Sequence, residues 1–327
     1  MQNLRQREKV NNLDDEIRKR SIQEQIKVMS GGKKMIVAKY TAKYPDSAER
    51  EYLRLANAYM TIEREILIRH IPELKAILNE GIKAYNTDSQ DKKANERKRK
   101  LARFETLDNT LVRLKILFDN IRRELEAAFG LFDLSGKLKK IAQLDYKLSI
   151  SEWKKVIGKT FGINLLDDYF RGDYYDEMLK KWISENVDLI KTVPSQSLGK
   201  IKELVYKQYM DGSSTTNIIK ELQRQYGMDK RHAQFIARDQ IGKLNAKITE
   251  SQQRDAGVKR YKWSDSRDER VRESHRRLHG HIFSWDKPPE TDNGRRCHPQ
   301  QDYQCRCCAI PVFDIENLDS TMGGEKS

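Results

Sequence analysis

The sequence predicts an α+β protein, with a long-helical N-terminal region followed by a small mixed α/β C-terminal module. Three observations predict it. Apolar residues recur at three- and four-residue steps through the first half, the spacing of helices that bury one face. Near residue 260 the period changes to two, the spacing of a strand. All four cysteines, Cys297, Cys305, Cys307 and Cys308, fall in one short window, which points to a local site and not to a spread disulfide scaffold.

Length and punctuation divide the 327 residues into an expected polar arm (1–48), a helical bundle or coiled-coil-like domain (49–193), a compact module (194–312) and a flexible tail (313–327). The arm is mixed in charge and broken by Gly31-Gly32 and Pro45, so short helices or a flexible segment are expected there. From Glu49 to about Ala84, Tyr52, Leu55, Tyr59, Ile62 and Ile66 share one helix face, with Pro72 as a point of kinking or restart. A polar loop, Asn86 to Asp91, leads into the basic run Lys92 to Lys100. In the next helix Leu107, Leu111, Leu114, Phe118, Ile121, Leu125 and Ala128 alternate by four and three, the seam of an antiparallel bundle, and Gly130 ends it. Shorter helices follow to about Lys191, and Pro194 marks a boundary.

Beyond that boundary, Ser213 or Ser214 is expected to cap a helix from Thr215 to Tyr226 closed by Gly227. Asp229 is expected to cap a second, reaching Asp255 and closed by Gly257. Val258 to Trp263 then reads as a strand with Tyr261 and Trp263 on one face. Asp268 to Gly280 reads as a short helix with an Asp cap, on which Val271, His275 and Leu278 share the inward face. Cys305 to Val312 reads as a second strand, with Cys305 and Cys307 on one side and Cys308, Ile310 and Val312 on the other.

The 63 Lys plus Arg against 49 Asp plus Glu give a formal charge of +14, which predicts attraction to polyanions. Lys92, Lys93, Arg97, Lys98, Arg99 and Lys100 concentrate that charge at a helix start, where cations are disfavoured by the helix dipole. They are the candidate contact for DNA phosphates or an acidic protein surface, or a solvated face. The N-terminus is charged from Arg5 onward and no apolar run is long enough to span a bilayer, so neither a secretory signal nor a membrane partner is expected. No phosphate-binding Gly-rich loop, nucleophile elbow or HExxH zinc motif occurs.

No cofactor is required by the sequence, but a structural zinc is a candidate. His275, Cys305 and Cys307 with Cys297 or His298 offer the thiolate and imidazole ligands that tetrahedral zinc takes. Packing by reduced thiols is the other reading. Asp265, Asp268, His275 and nearby arginines also admit an alternative of a metal-dependent nuclease or effector acting on nucleic acid. A free-standing DNA-binding protein is a further rival.

The stretch from about Thr216 to Pro311 resembles the phage Mu protein F-like family, also called phage head morphogenesis or minor head proteins. The resemblance runs through Arg231, Ala233, Ile236-Ala237-Arg238 and Asn245, then Gly257, Tyr261 and Trp263. It continues through Asp268, Arg270-Val271-Arg272, His275, Leu278 and Gly280, and closes on Pro288-Pro289 and Cys305-Arg306-Cys307. Two departures are Asp239-Gln240, where the family commonly has Thr-Glu, and the stretch Asn293 to His298, which looks like an insertion. Cys297 as a ligand therefore rests on chemistry alone.

The resemblance implies a virion protein without catalytic residues, located in the head interior near the portal and made in the host cytoplasm. It implies the portal as partner, with scaffold or major capsid protein as further partners, non-specific DNA contact, and a part in head assembly, DNA packaging or ejection. Trp263, Asp268, Arg270, Arg272 and His275 are then the expected core of the module.

Overall fold

The structure, a computed structural model, describes residues 17, 19–90, 96–165 and 173–318. In chain order these form α1 (19–29), β1 (Met35–Val37), α2 (Asp46–Gln90), α3 (Glu96–Gly130), α4 (Leu134–Phe161), α5 (Asp173–Met210) and α6 (Thr215–Asp255). Then come β2 (Arg260–Ser264), α7 (Glu273–Leu278), β3 (Ile282–Ser284) and β4 (Cys308–Asp314). Long helices followed by a small antiparallel sheet make an α+β fold. Among the described residues no helix is long and apolar enough to cross a membrane.

The chain forms two compact units, one drawn from Met1–Tyr52, Leu138–Glu185 and Phe235–Ser327, the other from Leu53–Lys137 and Asn186–Gln234. The second unit is all helical. Its core takes Ile66, Leu67, Leu74, Ile77 and Leu78 from α2, Leu114, Leu117, Phe118, Ile121 and Leu125 from α3, and further apolar residues from α5 and α6. The heptad seam of α3 thus faces the core, with Leu107, Leu111 and Ala128 at its margins. Each fully buried aliphatic side chain contributes roughly 1.5–3 kcal/mol, so a seam of this length supplies ample drive for the bundle.

The first unit carries a four-stranded sheet in the order β1-β4-β2-β3, with every neighbouring pair antiparallel. β2 alternates as expected, burying Tyr261 and Trp263 while Arg260, Lys262 and Ser264 are partly exposed. One core brings together Ile22 and Ile26 of α1, Trp153, Val156, Ile157 and Phe161 of α4, and Phe313 of β4. A second, smaller core joins Tyr261, Trp263, Trp285, Cys305 and Cys307.

Several local expectations are corrected. Residues 35–37, expected in short helices or a flexible segment, form β1 and pair Met35–Val37 with Asp314–Val312. Three residues are too few for alternation to register against polar flanks. Ser214 does cap, its Oγ accepting from Asn217 N at 3.3 Å, but α6 then runs unbroken to Asp255 through Gly227 and Asp229. Pro72 and Pro194 likewise lie inside α2 and α5. Tertiary packing outweighs a glycine's cost of about 1 kcal/mol, and long helices absorb single breakers. Helix α7 starts at Glu273, later than expected, and its N-cap residue Arg272 makes no side-chain cap bond. Asp268 instead closes a turn, its Oδ1 accepting from Arg270 N at 3.0 Å. The last strand begins at Cys308, so Cys305 and Cys307 stand in the loop before it.

Candidate metal centre

Helix α7 is only six residues long, and it turns His275 inward. His275 is buried at 3% exposure, with its ring edge-on to Trp263 of β2 at a centroid distance of 5.4 Å. Its two nitrogens face different chemistry. Nδ1 lies 3.5 Å from Cys305 Sγ and 3.5 Å from Cys307 Sγ. Nε2 lies 3.2 Å from Asp302 Oδ2. A proton on Nε2 shared with the carboxylate leaves the Nδ1 lone pair directed at the two sulfurs, the tautomer that a metal-binding imidazole uses.

Asp302 is held from several sides. Arg272 Nη1 donates to Oδ2 at 3.0 Å, Arg295 Nη2 lies 3.0 Å from Oδ1, and Tyr303 N donates to Oδ1 at 2.9 Å. Arg272 also donates to the Tyr303 carbonyl. Burial works against the Asp302 charge, but these hydrogen bonds and cations outweigh it and hold the carboxyl below its ordinary range. Burial opposes charge on His275 as well, yet hydrogen bonds to Cys305 and Asp302 leave its pKa raised.

The cysteine loop is fixed from behind. Gln300 N and Cys307 N donate to Cys305 Sγ at 3.3 and 3.4 Å. Gln300 Oε1 accepts from Asn245 Nδ2 of α6 at 2.6 Å, and Asn245 Oδ1 accepts from Ser149 Oγ of α4 at 2.7 Å. Asn245 therefore ties two helices to the loop that presents the thiols. The hydrogen bond from Cys307, followed by His275, lowers the Cys305 pKa to about 5. The same bond and burial raise that of Cys307.

Among the described residues, His275, Cys305 and Cys307 form a group whose ligand atoms all lie within 4.8 Å of one another. A tetrahedral zinc with Zn–N of about 2.0 Å and Zn–S of about 2.3 Å separates nitrogen from sulfur by about 3.5 Å. The two N–S distances match that edge. A second group, His275, Asp292 and Asp302, uses the other side of the same imidazole.

Cys297 is half-buried and outside both groups, its thiol pKa raised first by burial. His298 is also outside them. Its Nδ1 meets Tyr261 Oη at 2.8 Å, its ring packs on Trp285 at 4.8 Å, and burial lowers its pKa. Trp263 and Asp302 surround His275, whereas Asp268 and Arg270 pair with each other at 3.3 Å near the surface. Lys92 and Lys93 lie outside the described residues, and Arg97, Lys98, Arg99 and Lys100 stand in the first turns of α3. Sequence reasoning missed Asp302, Gln300 and Arg295; only the placing of Asp302 and Gln300 inside the cysteine window hinted at them.

The site falls within one stretch of chain that resembles a known family. Residues 199–310 match the family model described as Phage Mu protein F like protein. The Phage Mu F-like stretch contains Asn245, Trp263, Arg272, His275, Gln300, Asp302, Cys305 and Cys307, and so the whole candidate centre. A protein of Haemophilus influenzae (strain ATCC 51907 / DSM 11121 / KW20 / Rd), described as an uncharacterized protein, is 42% identical over 130 residues. The aligned part is 39% of this chain and 28% of that protein's length, so the chain spans little more than a quarter of its relative. No solved structure matches.

Proposed function

We propose that this chain is a minor head protein of a tailed phage or prophage, a non-catalytic assembly component that docks at the portal. The observation that carries this reading is the Phage Mu F-like match over residues 199–310, the stretch that includes the buried His275 cluster. The inward aim of the cluster supports a role in holding the module together. His275, Trp263, Cys305 and Cys307 are all buried, and Arg272 is tied to Asp302.

On this reading the module is the docking part, made in the host cytoplasm and carried in the head interior near the portal, with scaffold or major capsid protein as further partners. The helical region carries the basic run Lys92, Lys93, Arg97, Lys98, Arg99 and Lys100, which meets packaged DNA through phosphates and without sequence preference. Co-purification of the full chain with the portal protein from an assembly mixture tests the docking role. A complex that persists through size exclusion at moderate salt is the expected result. Separation of the two under gentle salt, with DNA still bound, transfers the reading to a free-standing DNA-binding protein.

A further inference from the structure

All three residues of the His-Cys-Cys group also line a pocket of about 260 Å³, together with Arg238, Arg270, Arg272 and Arg306. A structural zinc is closed by four protein ligands, whereas a site with three leaves the fourth position to water or a ligand. Here the described residues supply three, with Cys297 and His298 outside the group. We propose that His275 Nδ1, Cys305 Sγ and Cys307 Sγ hold one zinc ion whose fourth coordination position opens onto this arginine-walled pocket and accepts a phosphate oxygen.

The ligand geometry is prepared for the ion. Both N–S distances are 3.5 Å, the tetrahedral edge, and Asp302 fixes the imidazole through Nε2. Backbone N–H groups of Gln300 and Cys307 point at Cys305 Sγ, where they stabilise a thiolate. Charge decides what enters. Zinc with two thiolates and a neutral imidazole is neutral. Around it Arg238 pairs with Glu49, Arg270 with Asp268, and Arg272 with Asp302. Arg306 differs: its Nε is buried without a hydrogen-bond partner among the described residues, and its guanidinium lies 5.9 Å from the Tyr44 ring centroid. A guanidinium whose Nε has no partner among the described residues, beside a neutral metal centre, suits an anionic phosphate oxygen. The phosphate chemistry is shared by a DNA backbone and by free phosphate.

The full chain, purified with its thiols reduced, tests this independently of portal docking. Elemental analysis is expected to give about one zinc per chain, and X-ray absorption two sulfurs plus two lighter atoms around it. In the cobalt-substituted protein, dimethyl phosphate or a short oligodeoxynucleotide is expected to shift the visible bands. Arg306→Gln is expected to retain the metal and weaken that response about tenfold. A response to inorganic and dimethyl phosphate without one to the oligodeoxynucleotide assigns the site to free phosphate. Fewer than about 0.2 zinc per chain overturns the metal. A third sulfur in the shell overturns the open position, and bands unmoved by all three phosphate probes overturn the oxyanion.

Discussion

His275 does two jobs because an imidazole has two distinct nitrogens, one toward sulfur and one toward Asp302. Its inward aim was legible from the shared face of Val271, His275 and Leu278. Asp302 was not legible, because its partners Arg272 and His275 lie 30 and 27 positions away and no local period links them. Asp302→Asn keeps the shape while removing the charge that orients the ring. Zinc affinity is expected to fall by about 10–100-fold in a chelator competition titration, the usual effect of losing such a partner. Asp145 stands in α4. It is fully buried, neither carboxylate oxygen has a hydrogen-bond partner among the described residues, and burial raises its pKa well above 3.8. In the unfolded chain it ionises near that ordinary value, so its folded-state contribution is complete below about pH 3.8 and is lost as pH rises through the folded pKa. Asp145→Asn is therefore expected to stabilise the protein by roughly 1–3 kcal/mol at neutral pH, with the gain closing toward pH 4 in urea unfolding.

The helices were legible where a long apolar stripe repeats and illegible where single residues suggested a stop. The seam of α3 and the alternation of β2 both express a burial pattern several residues long, which tertiary packing reinforces. Gly227, Asp229 and Pro194 carry only local preferences of at most a few kcal/mol, and the helices run through them. Gly257 is a position where the local requirement does hold. Its φ is +77°, and a Cβ there would sit 3.0 Å from the Leu318 carbonyl oxygen, so glycine is needed to turn from α6 into β2. Gly81 in α2 is needed for close approach instead. An added Cβ would lie 2.6 Å from Thr110 Oγ1 and 2.8 Å from Thr110 Cγ2, on a short side chain with little room to move. Gly81→Ala is expected to cost about 1–3 kcal/mol by overpacking α2 against α3, read as a lower urea midpoint with an unchanged slope. The CRC stretch was half legible. Its two thiols do face one partner, as strand alternation suggested, but a loop held by Gln300 and Asn245 sets that direction.

At the scale of the whole molecule, a charge of +14 predicts attraction to polyanions, and the Phage Mu F-like stretch supports the proposed role as a head component. The basic run gives a test that separates the two contacts. Replacing Lys92, Lys93, Arg97, Lys98, Arg99 and Lys100 with Gln is expected to weaken DNA binding equally on unrelated sequences and to flatten its salt dependence. Portal association is expected to persist in the same variant, since it is assigned to the module. Membership of the head is the property on which the proposed docking and DNA contacts both depend. Quantitative mass spectrometry of purified heads from cells that make this chain reads that directly. A small, fixed number of copies per head, retained through gradient purification, is the predicted result; heads that contain portal and DNA but lack this chain would contradict it.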